Sequence, residues 1–187
     1  MSLKGFPRRT LRGDRTIQRI HRTARDPWWF SSDGTGRFDP VGTGYGACYF
    51  AELDLGAFIE VFRRQMLVPE VELNARALLS VRLGRDLRLA DLTSRRALGF
   101  GVTASLGANE DYADSVAFAA DAVRAHFDGI RYLIRHDPAQ PLYGIALFAD
   151  LAAEAPSGWP SAEGRAIPSE LIAQAQRAFG YRVLPTP

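Results

Sequence analysis

The chain has 187 residues, of which 47% are hydrophobic and 24% charged, and a net charge of +2. These values exclude wholesale disorder and suit one domain with a substantial core rather than two. Lys4 is the sole lysine and the other 22 basic residues are arginines, but no basic run is interleaved with aromatics, so direct nucleic-acid binding is not expected.

The N-terminal "MSLKGFPRRTLRGDR" is basic and no apolar run follows it, so it reads as an extension over residues 1–15 rather than a secretory signal. With no stretch near 18 apolar residues, a membrane role is not expected and the cytoplasm is the anticipated location. "TIQRIHRT" at 16–23 alternates as a first strand and ends at "RDPWW". The next loop, "GTGRFDPVGTGYG", crowds glycines around Arg37 and Asp39. A backbone this free suits either a plain surface turn or a site where an anion approaches the main chain beside a fixed guanidinium. Its "GTGYGA" fits a dinucleotide fingerprint formally, yet it opens a strand instead of a helix, so the helix-dipole reason for binding pyrophosphate is missing.

"GACYFAE" at 46–52 is the second strand, with Cys48, the only cysteine, expected as a buried inert thiol. Leu55, Phe58, Ile59, Phe62 and Met66 then repeat as a helix stripe capped by Asp54. Glu60 lies off that stripe with Ala57 and Arg64. It is either a solvated surface glutamate or a carboxylate overlooking a cleft, where it could bond a ribose hydroxyl and stabilise positive charge on the sugar.

"ALLSVRL" and "DLRLADL" read as strands, and 111–127 as a helix through Val116, Ala120, Val123 and Phe127, stopped by Gly129. "GIRYLIRH" and "YGIALF" alternate as strands around a proline-bearing turn; if Arg131 and Arg135 mark the outer side of the first, Ile134 faces inward. A loop or linker at 152–168 precedes a last helix from Pro168 to Gly180. Strands mixed with a few helices, without regular alternation, indicate an α+β domain with mixed or antiparallel sheets and flanking helices. His21, His126 and His136 have no metal-ligand spacing, so no metal is expected.

Taken in order, "RIHRT", "GTGRFDP", "ACYFAELDLGAFIEVF", "DGIRYLIRH" and "YGIALF" resemble the RES-domain family over about Arg19 to Phe148. Members are known chiefly as toxins of RES/Xre toxin-antitoxin pairs that degrade NAD+ on an ADP-ribosyltransferase-like fold. The resemblance implies a RES-like domain over 16–187 that takes NAD+ as substrate and needs no other cofactor. Arg22 and Arg37 would hold the phosphates or ribose, Tyr49 would pack by the nicotinamide, and Glu60 would be the catalytic carboxylate. It also implies an Xre-like antitoxin partner and allows a homodimer. Transfer of ADP-ribose to a macromolecule, and NAD+ binding with weakened catalysis, stay open as alternatives. Ile134 stands where the family carries a serine, which predicts low activity and a faster Ile134→Ser variant.

Overall fold

The structure, a computed structural model, describes residues 2–138, 142–151 and 163–186. In chain order it contains β1 (Arg8–Leu11), β2 (Thr16–Arg22), β3 (Tyr45–Ala51), α1 (Asp54–Phe62), β4 (Leu67–Pro69), α2 (Glu70–Asn74), β5 (Arg76–Arg82) and β6 (Leu87–Asp91). A 3-10 turn at Arg95–Phe100 leads to α3 (Ala104–Ala108), α4 (Ala113–Arg124), β7 (Gly129–Leu133), β8 (Tyr143–Asp150), β9 (Arg165–Ala166), α5 (Ser169–Phe179) and β10 (Arg182–Leu184). Eight strands form one mixed sheet in the order β1-β6-β7-β8-β3-β2-β5-β9, while β4 and β10 make a parallel pair. Within the large sheet only the β6–β7 pairing is parallel. This is the expected α+β architecture.

Apolar side chains cover both faces of the sheet. Leu11, Leu87 and Leu89 come from one end of the strand order, Ile17, Leu79 and Val81 from the other, and all six share one buried cluster. Residues 12–15 alone carry the chain from β1 to β2, five strand positions away, a span that four residues can cover only if the sheet curls. The opposite face is covered by α1, α4 and α5 through Phe58, Phe62, Phe118 and Leu171. Residues 2–15 contribute to both layers: β1 pairs antiparallel with β6, and Phe6 packs edge-on against Phe100 and Phe118 at 5.1 and 5.3 Å.

Three local expectations are corrected. First, α1 ends at Phe62, because Arg63 adopts a left-handed φ of 49°, and Met66 is exposed outside the helix. Asp54 is the first helical residue and not the cap; its carboxylate accepts from the Leu55 backbone N–H. Second, α4 buries Ser115, Phe118, Ala119 and Ala122 besides Ala120, and it stops at Ala125 with His126 at φ 58°, leaving Gly129 free to begin β7. Third, Arg131 is not on an outer surface. It is buried between Glu52 and Asp91, and its guanidinium lies 3.5 Å from the Tyr143 ring centroid. Ion pairing makes that burial tolerable. Most of the predicted 152–168 loop lies outside the described residues, but Arg165 and Ala166 pair with β5.

Candidate active site

The glycine-rich loop is folded around one carboxylate. Asp39 is fully buried; its Oδ1 accepts from the Tyr49 hydroxyl at 2.8 Å, and its Oδ2 from the Gly36 N–H at 2.9 Å and the Ser31 hydroxyl at 2.8 Å. The Tyr49 oxygen in turn accepts from the Phe38 N–H at 2.8 Å. This small network ties the loop to β3 and closes the backbone on both sides of Arg37. A Cβ on Gly36 would collide with the Asp39 carboxylate and stand 2.5 Å from the Tyr49 hydroxyl, so glycine is required there for space.

Arg37 is thereby projected into a cavity of about 320 Å³. Its guanidinium lies over the Tyr112 ring at 4.5 Å and its Nη1 donates to the Leu106 carbonyl at 3.4 Å. Its Nη2 is buried without a partner among the described residues. A buried donor left over on a cation is poised for an anionic acceptor.

Glu60 enters from α1, whose approach to the sheet depends on small residues. A Cβ on Gly56 would sit 3.0 Å from both the Ala51 Cβ and the Ile134 Cδ1, which shows how closely the helix is seated. One turn later Glu60 reaches the cavity floor. Burial pushes its carboxyl up from the ordinary glutamate range, against a hydrogen bond from Tyr132 and the charges of Arg63, Arg37 and Arg135. The Tyr132 hydroxyl is itself held far above its usual range by burial and by the neighbouring Glu60 charge, so it remains a donor. Glu60 is the only carboxylate among the described lining residues, against Arg19, Arg37, Arg63, Arg76 and Arg135.

His136 completes the rim as a neutral imidazole. Desolvation and the adjacent Arg135, with Arg63, Arg64 and Arg37 beyond it, push it down to about 4. The Arg135 Nε donates to the His136 Nε2 at 3.3 Å.

The structure thus brings together Arg37, Tyr49 and Glu60, and not Arg22. Arg22 is exposed, pairs with Glu72 at 3.3 Å and lies outside the cavity wall. Arg19 occupies the wall instead: its Nη1 donates to the Tyr49 carbonyl at 3.0 Å, and its Nε is buried without a partner among the described residues. The two arginines stand three positions apart on β2, so strand alternation sends them to opposite faces and only one can reach the cavity. Tyr49 lines the cavity by its ring, but its hydroxyl is committed to the loop. Ile134 points into the core against α1, is 2% exposed and is not part of the cavity wall. Its replacement of a serine therefore removes no group from the cavity. Cys48 is buried, with its thiol pushed up to about 11 by desolvation, and is inert as expected.

A model of the RES domain matches residues 16–167. The chain belongs to the RES-domain family. No curated protein matches its sequence. Among solved structures, this RES domain is similar to a chain of the crystal structure of the M. tuberculosis MbcT-MbcA toxin-antitoxin complex. The TM-score is 0.62 at 20% identity, over 91% of this chain and 92% of the other. A likeness at that identity supports the fold. The site of this RES domain is read from its own residues, and among those described no cluster of histidine, cysteine and carboxylate side chains could hold a metal ion. No helix is long and apolar enough to cross a membrane.

Proposed function

We propose that this RES domain degrades NAD+ by cleaving the bond between nicotinamide and ribose, with water or phosphate as the acceptor. The observation that carries the reading is that Glu60, the one carboxylate among the described lining residues, shares the cavity wall with five arginines. Arginines match the diphosphate of a dinucleotide, and Arg37 keeps a buried donor without a partner among the described residues. Glu60 answers the other charge in the reaction. As the C1′–N1 bond breaks, its electron pair moves onto the pyridinium nitrogen and nicotinamide leaves neutral, while positive charge develops at C1′ and the ring oxygen. An ionised Glu60 stabilises that charge. The acceptor oxygen then bonds to C1′ and its proton passes to solvent. The chain would act as the toxin of a toxin-antitoxin pair, a reading supported by the family and by the likeness to the M. tuberculosis toxin-antitoxin structure; action in the cytoplasm and restraint by an Xre-like partner belong to the same proposal.

Incubation of the purified protein with NAD+, with and without phosphate, tests this. Free nicotinamide with a small-molecule ADP-ribose product is expected; labelled protein would mean a transferase, and binding without turnover a binding module. Glu60→Gln should lower turnover about 10²-fold, the usual cost of roughly 3 kcal/mol for a lost transition-state contact, while the protein stays folded. Unchanged turnover in that variant would overturn the assignment.

A further inference from the structure

A smaller hollow of about 200 Å³ opens beside the cavity and shares Arg19, Ile20 and Arg76 with it. Arg22, Arg25, Asp26 and Trp29 also line it, together with His21, whose Nε2 is buried without a partner among the described residues. The carboxylates nearby are too few for these cations. Asp26 already accepts from the Trp28 N–H at 2.7 Å. One oxygen of Glu72 is shared by Arg22 at 3.3 Å and Arg76 at 3.2 Å. Four arginines against Asp26 and Glu72 leave a surplus of two positive charges. Among the described residues, the Nε atoms of Arg19 and Arg76 are buried without partners. Trp29, 57% exposed, presents a large aromatic ring at the edge.

We propose that this hollow receives a second anionic group of the substrate, the 2′-phosphate on the adenosine ribose, so that NADP+ is bound in preference to NAD+. The inference rests on the reading that the main cavity takes a nicotinamide dinucleotide. Arg37, Arg63 and Arg135 surround Glu60 inside that cavity, where the diphosphate and the scissile bond belong. Arg22 and Arg25 lie beyond it, where only a further negative group on the same ligand would reach them. A phosphate monoester carries close to two charges at neutral pH and accepts planar guanidinium forks, which matches both the charge surplus and the residue type. Arginine beside the adenosine ribose is the usual means of accommodating a 2′-phosphate, and an exposed indole offers a face for a base.

The test separates binding from turnover. In calorimetry on the full chain at low salt, adenosine 2′,5′-bisphosphate should bind about tenfold more tightly than adenosine 5′-monophosphate, the effect expected of one charge-assisted phosphate contact. Arg25→Ala should remove most of that preference and leave NAD+ turnover unchanged, and Arg25→Glu should reverse it. Arg25 is exposed and its side chain is not needed for packing, so both variants should keep the parent unfolding midpoint. Equal affinity of the parent for the two probes, or an equal loss for both in Arg25→Ala, overturns the proposal. NAD+ cleavage without a 2′-phosphate preference overturns it alone. A preference in the probes with neither dinucleotide cleaved supports the hollow and overturns the functional reading instead.

Discussion

Replacing Tyr49 by phenylalanine separates the two roles open to that residue. The ring that lines the cavity is kept; only the hydroxyl is lost. If Tyr49 served by packing its ring against nicotinamide, the variant would behave as the parent. The geometry predicts otherwise, because the oxygen donates to Asp39 at 2.8 Å and accepts from the Phe38 N–H at 2.8 Å. Without it, the Phe38 N–H beside a fully buried side chain loses its acceptor and the buried Asp39 carboxylate loses one of its donors. A buried donor left unpaired costs about 1–3 kcal/mol and a bond to a charged group contributes about 1.5–3, so a combined loss of roughly 3 kcal/mol is expected. For a chain of this size that lowers the midpoint of thermal unfolding by about 6–12 °C. Loosening the loop also frees Arg37, so KM for the dinucleotide should rise more than kcat falls. Urea unfolding and steady-state kinetics read the two effects. A Tyr49→Phe protein with the parent's stability and KM would refute the claim that this network positions Arg37.

Two further variants have defined outcomes. His136, pushed down to about 4 from an ordinary 6.5, stays neutral in the folded protein while the unfolded chain takes up a proton. Its contribution to stability is therefore present above pH 6.5 and is lost as the pH falls from about 6.5 towards 4. Glu60 has the opposite sign, since its raised value favours the folded state as it protonates, so the readout is the difference between parent and His136→Gln. Stability measured against pH should fall less steeply in the variant across that window, and parallel curves would refute the assignment. Ile134→Ser, expected from the family pattern to quicken the enzyme, should instead destabilise it by about 3 kcal/mol, because a fully buried branched side chain is replaced by a small polar one away from the cavity. Faster turnover in that variant would show that position 134 does reach the substrate.

The main strands and the last helix were legible because each carries its own local signal: alternation in "TIQRIHRT" and "YGIALF", and a stripe bounded by Pro168 and Gly180. Elements that depend on tertiary partners were not. The polar β1 is a strand because β6 pairs with it, and the two-residue β9 because β5 does. At the site, the loop and helix settings of Arg37 and Glu60 left a surface role and a cleft role open, and it was the family resemblance that singled them out. Arg19 could not be preferred to Arg22, because alternation says that two such residues face apart without saying which face holds the cavity. Nothing in the sequence drew Arg63 or His136 to the site, and Arg135 read as the outer side of its strand. Their shared position depends on how α1 and the end of β7 converge.

An arginine-walled cavity by itself would bind a nucleotide diphosphate and do nothing more. What turns binding into bond cleavage in the proposed reaction is the contrast between those cations and Glu60. In the free protein, burial disfavours the ionised carboxylate while Arg63, Arg37 and Arg135 favour it. A bound dinucleotide brings two phosphate charges to the arginines and a positive ring towards Glu60, so each charge on the ligand meets its opposite. As the glycosidic bond lengthens, the pyridinium loses its charge and the sugar gains it. The carboxylate must then lie closer to C1′ than to the departing ring if it is to hold the transition state more strongly than the substrate, since equal attraction to both would tighten binding without raising the rate. Tyr132 stands in the same wall as Glu60, and the close seating of α1 at Gly56 fixes the backbone that carries the carboxylate. In that reaction the precision of the site would rest on the close seating of α1 beneath Glu60, and the affinity on the guanidinium groups around it.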